Sequence, residues 1–208
     1  MTLFIMNLNI FTSLAKLFKE NGFSLFMIGG TSRDYLLNLE VLDYDFVSDA
    51  TPEDMKKFLP DVNYHFEKYG SVRLKIDGVH VDITTFRSEG EYLDFRHPNS
   101  VKYVKTIEED YVRRDFTINA IYIDEDMKCI DPSGGLIDLK NRIIRFIGDP
   151  IKRIKEDPLR ILRAERFKEK LNFEIEEKSL EAINKYRYLL DKLNPEKVKE
   201  ELRKLNHK

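Results

Sequence analysis

The sequence predicts an α+β fold, in which strands and helices mix over the N-terminal two thirds and helices alone follow. Residues 71–76 and 79–84 alternate apolar and polar side chains on either side of a glycine turn, the period-two pattern of a β-hairpin. After Leu139 the apolar residues recur at helical spacing, and strand signals almost disappear. We therefore expect two domains, residues 1–139 and residues 140–208.

The predicted elements begin with a helix at residues 9–21, which Gly22 ends. The apolar run at 24–28 predicts a strand, and Gly29-Gly30 after it predicts a turn into a short helix that Asn38 ends. The other elements expected in the first domain are a strand at 42–47, a helix at 52–58 capped by Thr51, the hairpin, a helix at 108–119 and short strands at 121–123 and 129–130. In the second domain, helices are expected at 158–170, 176–190 and 195–205.

Composition places the chain among soluble globular proteins of a reducing compartment. Of its 208 residues, 42% are hydrophobic and 35% are charged, and the single cysteine, Cys129, excludes an internal disulfide. The apolar N-terminus has no basic leader region, and polar residues interrupt it before the length that a membrane span needs. We expect a cytoplasmic protein without a membrane span.

Charge is distributed unevenly between the two predicted domains. Residues 140–208 contain 20 Lys+Arg against 13 Asp+Glu, whereas residues 1–139 contain 15 against 24. An acidic domain suits metal binding and a basic domain suits a polyanion, as expected for an enzyme that holds RNA or DNA. The alternative is that the C-terminal helices simply carry more solvated lysine.

A glycine turn and an acidic pair together indicate phosphate chemistry. At Gly29-Gly30 the backbone can approach a ligand closely, and the helix that follows directs free N–H groups at a phosphate. On a strand, Asp43 and Asp45 would project from one face, about 6–7 Å apart at Cα. Such a pair suits Mg²⁺, which binds one or two carboxylates plus substrate phosphates, so metal-assisted nucleotidyl or phosphoryl transfer is the hypothesis. Each motif alone also fits an ordinary turn or a solvated strand edge.

Five motifs carry a resemblance to a known family: GGTSRD at residues 29–34, DYD at 43–45, RRDFTINA at 113–120, DPSGGLIDL at 131–139 and EDPLRILRAERF at 156–167. In this order they resemble the class II tRNA nucleotidyltransferases (CCA-adding enzymes) and the related bacterial poly(A) polymerases. These enzymes belong to the DNA polymerase β-type nucleotidyltransferase superfamily. The resemblance runs from about Lys16 to the end of the chain, and it implies a mixed-sheet catalytic head followed by an all-α neck.

The resemblance also implies roles for the residues that match the motifs. Asp43 and Asp45 would be catalytic and would bind two Mg²⁺ ions, which activate the RNA 3′-hydroxyl and steady the leaving pyrophosphate. Asp82 is a candidate third ligand, although the family usually has Glu there. The implied nucleotide-binding residues are Gly29, Gly30, Arg33, Arg114, Asp115, Asp157, Arg160, Arg163 and Arg166. Among these, Gly30 and Arg33 would contact the triphosphate, and Arg114 would face the sugar and phosphates.

Asp157 and Arg160 match the pair that reads the incoming base in the family, and the chemistry of the bases supports that role. Cytosine and adenine both place an amino donor beside a ring-nitrogen acceptor, which a carboxylate and a guanidinium complement. Uracil and guanine present the reverse pattern and would leave charges mispaired, so discrimination of about 10⁴ is expected. Asp157 before Pro158 also fits a plain helix cap, and the arginines that follow also fit a solvated helical face.

Two regions bear on the extent of the activity. The loop at residues 88–103, with Asp94, Arg96 and Pro98, resembles the flexible loop that CCA-adding enzymes use when they switch from C to A, which favours full CCA addition. Family members continue beyond the neck with body and tail domains that grip tRNA. We therefore expect either part of a longer protein or a minimal enzyme that draws RNA affinity from the neck, a homodimer or a partner chain, with weak tRNA binding.

The predicted function is Mg²⁺-dependent, template-independent addition of C and A to the tRNA 3′ end, with CTP and ATP as substrates. The alternatives within enzymes are a poly(A) polymerase and a CC- or A-adding specialist, which the shared motifs do not separate. The alternative of another class is an inactive RNA- or nucleotide-binding relic.

Overall fold

The computed structural model describes residues 6–59, 62–92 and 98–206. They belong to two compact units that interleave along the chain. Unit 1 consists of the chain up to Ser88 together with Val101–Tyr111 and Asn119–Pro132. Unit 2 consists of Glu89–Ser100, Val112–Ile118 and the chain from Ser133 onward. The predicted assignment of a catalytic head and a base-reading neck to residues 1–139 and 140–208 stays a prediction.

The elements up to Ile130 are, in chain order, α1 (Leu8–Glu20), β1 (Leu25–Met27), α2 (Gly29–Leu36), β2 (Tyr44–Ser48), α3 (Pro52–Met55), a 3₁₀ turn (Glu67–Tyr69), β3 (Ser71–Ile76), β4 (Val79–Thr85), β5 (Arg87–Glu89), β6 (Val101–Tyr103), α4 (Ile107–Asp110), 3₁₀ turns at Tyr111–Arg113 and Thr117–Asn119, β7 (Tyr122–Ile123) and β8 (Cys129–Ile130). Six strands form a mixed sheet in the order β3-β4-β2-β1-β7-β8. Strands β2 and β4 run parallel, and the other neighbours in this sheet are antiparallel. Strands β5 and β6 form a separate pair. The predicted mixed sheet is confirmed.

Helix α1 covers the sheet of unit 1 with its apolar face. Phe11 and Phe18 are fully buried, and the ring of Phe11 lies 5.2 Å from that of Phe46 on β2. Each buried aromatic of this kind stabilises the fold by about 2–3 kcal/mol relative to its exposed state. On β2, Tyr44 and Phe46 are buried on one face of the sheet, and Asp45 between them is exposed on the other face, where Val47 is buried.

Capping and turn residues end the helices and strands near the positions that the sequence predicts. Asn38 ends the segment after α2 with φ of 56°. Thr51 and Asp54 form a reciprocal capping box at α3, with Pro52 in the first turn. Asp77 and Gly78 both have positive φ, 51° and 85°, as a two-residue hairpin turn between β3 and β4 requires.

Helices dominate unit 2 beyond Ser133. Its elements are α5 (Gly135–Asn141), β9 (Ile143–Ile144), α6 (Pro150–Glu156), α7 (Leu159–Leu171), β10 (Glu174–Ile175), α8 (Glu177–Tyr186), a 3₁₀ segment (Arg187–Lys192) and α9 (Pro195–Asn206). Helices α7, α8 and α9 correspond to the three predicted helices. Helices α5 and α6 and the parallel β9–β10 pair were not predicted; each spans two to seven residues, too few to establish a period by itself.

The predicted helix at 108–119 is wrong over most of its length. Only Ile107–Asp110 is α-helical, and two 3₁₀ turns follow. Asp115 accepts a hydrogen bond from the Phe116 N–H at 2.7 Å, which replaces a helical bond at that position. Phe116 then forms a β-bridge with Phe146 inside unit 2. The predicted strand at 42–47 begins at Tyr44, so Asp43 lies immediately before it rather than on it.

Among the residues that the structure describes, no helix is both long enough and apolar enough to cross a membrane.

Candidate active site

The chain turns into α2 at Gly29 and Gly30, the first two residues of that helix, and this glycine turn lies beside the Asp45 carboxylate. The Ile28 N–H donates to the Asp45 carbonyl at 3.1 Å, which holds the end of β1 beside β2. Gly29 has φ of 68°, and a Cβ added there would lie 3.5 Å from Asp45 Oδ2. A larger residue at this position would be strained in its backbone, and its Cβ would lie in van der Waals contact with the carboxylate. The predicted turn and the predicted carboxylate therefore lie side by side.

Thr31 fixes the acidic segment against helix α2. Its hydroxyl is buried, accepts from the Asp45 N–H at 2.7 Å and lies 3.4 Å from the Asp43 carbonyl oxygen, to which it donates. The carboxylates of Asp43 and Asp45 remain exposed, although only Asp45 is on the strand. Sequence analysis assigned no role to Thr31, and a hydroxyl residue in the first turn after the glycines was the available signal.

Asp82 lies in register with Asp45 on the neighbouring parallel strand, so the two residues share a face of the sheet. Both of its carboxylate oxygens accept from Arg73, Oδ1 from Nε at 2.6 Å and Oδ2 from Nη2 at 2.7 Å. This hydrogen-bonded ion pair raises the pKa of Arg73, and the charges of Asp43 and Asp45 raise it further. Asp82, Asp43 and Asp45 thus all favour the charged form of the Arg73 guanidinium. Metal ligation by Asp82 stays a prediction.

The carboxylates of this region fit a magnesium site with few protein ligands. Residues 6–59, 62–92 and 98–206 include no group of three or more His, Cys, Asp or Glu side chains arranged to hold a metal ion. Mg²⁺ does not need one, because it binds through one or two carboxylates and completes its shell with water and substrate phosphates. Two exposed carboxylates beside a glycine turn supply that chemistry.

The Arg33 side chain is buried in the interior of unit 1. Its side chain is 3% exposed, Nε donates to Asp34 Oδ1 at 2.7 Å, and Nη1 donates to Asn119 Oδ1 at 2.7 Å. A Cβ added at Gly30 would lie 3.6 Å from Arg33 Nη2, so the guanidinium also contacts the turn. The predicted triphosphate contact stays a prediction, and Asn119 is a partner that sequence analysis missed.

Unit 2 gathers most of the remaining predicted site residues around α7. Asp157 lies between α6 and α7 and accepts from the Leu159 N–H at 3.0 Å. Arg160 is buried and donates from Nη1 to the Arg153 carbonyl at 2.7 Å and to Glu156 Oε2 at 2.9 Å. Burial lowers the pKa of Arg160, but the nearby Tyr92, Asp157, Glu156 and Asp115 outweigh it and raise that pKa above its ordinary value.

The other two arginines of α7 have different partners. Arg163 Nη2 pairs with Asp115 Oδ2 at 2.5 Å, which joins the RRD segment to this helix. Arg166 lies with its guanidinium carbon 4.6 Å from the ring centre of Phe167 and with Nε 3.4 Å from Glu201 Oε2 on α9. The structure therefore brings Asp115 and Arg163 together, whereas Arg166 contributes to the packing of α7 on α9.

Tyr92, at the base of the predicted flexible loop, contacts Arg160 within unit 2. Its ring centre is 5.7 Å from the Arg160 guanidinium carbon, and its hydroxyl donates to Glu89. Burial, followed by the charge of Glu89, raises the pKa of Tyr92 to about 12, so the hydroxyl stays a proton donor well above neutral pH. Pro98 forms a β-bridge with Tyr92, whereas Asp94 and Arg96 lie outside the described residues.

Arg153 and Glu156 are the main functional candidates that sequence analysis missed in unit 2. Arg153 Nη2 donates to the carbonyls of Arg113 and Arg114, the latter at 2.7 Å, and Arg153 Nη1 pairs with Glu156. Glu156 was part of a recognised motif, but it received no role of its own. Arg153 had no local signal for its carbonyl partners, because they lie about 40 residues earlier in the chain. Glu156 did have one, since it stands three residues after Arg153 and four before Arg160, the spacing of ion pairs on a helical face.

Comparison with known proteins places this arrangement in a family. A family model described as "Poly A polymerase head domain" matches residues 25–145. The "CCA-adding enzyme" of Pediococcus pentosaceus is 42% identical over 187 residues, which are 90% of this chain and 47% of that protein. The chain thus spans about half the length of the curated relatives it matches.

Solved structures agree with the sequence comparison. The Bacillus stearothermophilus CCA-adding enzyme in complex with CTP has a TM-score of 0.87 at 34% identity, over 96% of this chain and 49% of that one. The Thermotoga maritima CCA-adding enzyme complexed with tRNA_CCA has a TM-score of 0.78 at 30% identity, over 99% of this chain and 49% of that one. The family match covers more than half of the chain and includes the glycine turn, the acidic pair and the RRD segment. The resemblance in the motifs is thereby confirmed, and the chain belongs to the poly(A) polymerase head-domain family, among relatives that are CCA-adding enzymes.

Proposed function

We propose that this protein is a tRNA nucleotidyltransferase that adds C and A to the tRNA 3′ end from CTP and ATP. The observation that carries the proposal is the contact between the Gly29 turn and the Asp45 carboxylate, beside the exposed Asp43. This contact puts a backbone suited to phosphate next to carboxylates suited to Mg²⁺. The relatives described as CCA-adding enzymes, including those with CTP and with tRNA_CCA, support this choice of substrates.

In the proposed reaction the RNA 3′-hydroxyl loses its proton to solvent, and its oxygen attacks the α-phosphorus of the nucleoside triphosphate. A new phosphodiester bond forms as the bond from the α-phosphorus to the bridging oxygen breaks, and pyrophosphate leaves. Asp43 and Asp45 would hold Mg²⁺, which when bound neutralises phosphate charge and lowers the pKa of the 3′-hydroxyl. The Gly29 and Gly30 backbone would lie along the triphosphate, and Thr31 keeps the carboxylate segment in place.

The base-selecting residues of the proposal lie in unit 2. Asp157 would accept from the amino group of cytosine or adenine, and Arg160 would donate to the adjacent ring nitrogen. Arg114 would face the sugar and phosphates, and Asp115 with Arg163 would hold the RRD segment in position through their ion pair. The buried Arg160 has a fixed charge and fixed partners, which suits a residue that must discriminate between bases. Arg166 and a cytoplasmic location stay predictions.

The test is extension of tRNA transcripts that end before CCA, after C and after CC, resolved at single nucleotides. Each transcript receives CTP, ATP, UTP or GTP alone and CTP with ATP, in Mg²⁺ and at high tRNA concentration. Extension that stops after CCA is the expected result. A long A ladder would instead support a poly(A) polymerase, and a stop at CC would support a specialist. No extension, with nucleotide binding retained, would support the binding-relic alternative.

Matched variants connect the activity to the proposed site. Asp45→Asn and Asp43→Asn should each reduce turnover by on the order of 10³-fold, because a neutral amide holds Mg²⁺ poorly. Asp77→Asn is the control, since Asp77 is an exposed carboxylate of unit 1 in a left-handed turn that asparagine also tolerates. Loss of turnover in the control, or unchanged turnover in both site variants, would contradict the assignment.

A further inference from the structure

Arg153 lies at the centre of a buried network that no motif predicted. It is on α6 and is only 7% exposed. One terminal nitrogen, Nη2, donates to two successive backbone carbonyls, those of Arg113 and Arg114. These carbonyls belong to the RRD segment, about 40 residues earlier in the chain. The Arg153 side chain therefore fixes the path of the backbone that carries the Arg114 side chain.

The same guanidinium is connected to Arg160 in two ways. Arg153 Nη1 pairs with Glu156 Oε2, and that oxygen also accepts from Arg160 Nη1 at 2.9 Å. Arg160 Nη1 donates in addition to the backbone carbonyl of Arg153 at 2.7 Å. One carboxylate oxygen thus joins two guanidinium groups, and one of these groups also holds the RRD backbone. Movement of any one member would break hydrogen bonds of the others.

This arrangement is costly in stability, which argues that it has a purpose besides packing. Burial lowers the pKa of Arg153, and the neighbouring charge of Arg160 lowers it further. Buried charges destabilise a fold unless good geometry and further hydrogen bonds compensate them, and an apolar cluster of similar volume is often more stable. What an ion network of this kind provides is a single defined arrangement of its members.

We propose that Arg153 is a positioning residue for nucleotide selection, because it holds the Arg114 backbone and the Arg160 guanidinium in one arrangement. Arg153 does not need to touch the nucleotide. It would act through Arg114, which is proposed to face the sugar and phosphates, and through Arg160, which is proposed to read the base. The inference rests on the proposed function, since it concerns residues of the same site.

The principal test is Arg153→Lys, which keeps the positive charge and removes the planar fork. A lysine ammonium cannot bond both carbonyls and Glu156 in the same geometry. We expect KM for CTP and ATP to rise and discrimination between CTP and UTP to fall, each by about tenfold or more, the effect of losing hydrogen bonds to a charged group. Maximal turnover with CTP should change less, since Asp43 and Asp45 are untouched.

A double-variant cycle separates positioning from general support of the fold. If Arg153 acts on base choice through Arg160, then Arg153→Lys should reduce discrimination little further in an Arg160→Lys background. The matched control is Arg145→Lys in unit 2, where Arg145 binds both oxygens of the buried Asp138 at 2.9 and 3.2 Å. That variant should lose thermal stability while its discrimination between CTP and UTP stays at the wild-type value.

The outcomes distinguish this inference from the proposed function. A folded Arg153→Lys protein with wild-type discrimination, or with all nucleotides affected equally, would overturn the positioning role while CCA addition stands. If Arg153→Lys does not fold, Glu156→Gln takes its place, and wild-type discrimination in that variant overturns the role. If the wild-type chain extends no RNA, the proposed function fails, and equilibrium binding of CTP and UTP to the same variants decides the inference. A wild-type chain that binds CTP and UTP equally would then overturn both.

Discussion

Replacement of Arg33 by methionine should destabilise unit 1 by several kcal/mol. The side chains of Arg33 and Asp34 are 3% and 10% exposed, and Nη2 lies 2.6 Å from the carboxylate. Breaking a buried pair by removing one partner costs about 3–5 kcal/mol, because the other charge stays buried without its counterion. The Asn119 amide oxygen would also lose its Arg33 donor. Since a domain of this kind has about 5–15 kcal/mol of stability in total, a loss of about 4 kcal/mol is a large part of it.

The assay is urea unfolding followed by far-ultraviolet circular dichroism, because the chain contains no tryptophan. With a slope of about 2 kcal/mol per molar urea, the midpoint should fall by about 2 M. The matched control is Arg73→Met, which removes a pair of the same length, 2.6 Å, whose side chains are 48% and 34% exposed. That exposed pair should contribute below about 1 kcal/mol.

Equal losses of stability in the two variants would refute the argument that burial makes the Arg33–Asp34 pair contribute more than the exposed Arg73–Asp82 pair. A loss below about 1 kcal/mol for Arg33→Met would do the same, and it would favour the triphosphate contact as the main role of Arg33. The double variant Arg33→Met/Asp34→Leu should regain much of the stability, because it removes both buried charges together. Failure to regain it would point to Asn119 as the essential partner.

Three further predictions concern local structure. Thr51→Ala should cost about 1 kcal/mol of stability through loss of the α3 cap, whereas Thr51→Ser should keep most of it, and equal melting temperatures would contradict the cap. Gly70→Ala should cost about 1–3 kcal/mol, because φ is 78° and the added Cβ would lie 2.9 Å from Tyr103 Cε1. Gly78→Ala meets open space at φ of 85°, so it should cost less, and a larger loss there would contradict the steric argument. The Tyr92 hydroxyl should ionise near pH 12, as observed by NMR of ¹³Cζ-labelled tyrosine with Tyr92→Phe for assignment, and ionisation near pH 10 would contradict it. Because this pKa is higher in the folded state, its contribution to stability is complete below about pH 10 and is lost as the pH rises through about 12.

The parts of the fold that could be predicted from the sequence depend on neighbours in the chain. Alternation of apolar and polar residues predicted the β3–β4 hairpin, and Asp77 and Gly78 adopt the left-handed conformations that its turn requires. The Gly29 turn and Asp45 were likewise expected together, because the turn follows one short predicted strand and Asp45 lies on the next. These features follow from backbone preferences and side-chain periods over a few residues.

The predicted helix at 108–119 was wrong because of contacts with distant residues, which local sequence patterns do not show. Its apolar spacing is compatible with a helix, but Asp115 bonds its neighbouring N–H and pairs with Arg163, and Phe116 bridges to Phe146. Those partners lie 30 or more residues further along the chain. Tertiary contacts of this kind override a weak local preference for helix.

The sequence by itself determined the family, the α+β class, the glycine turn with its acidic pair and the presence of an Asp157–Arg160 motif. Only the tertiary structure decided what the charged residues bind. In the folded chain Arg33 donates hydrogen bonds to Asp34 and Asn119. Arg73 donates to Asp82, and Arg153 donates to the backbone carbonyls of the RRD segment. A motif specifies a residue type at a spacing, whereas the partner of a buried charge depends on which distant segment the folded chain brings within hydrogen-bonding distance.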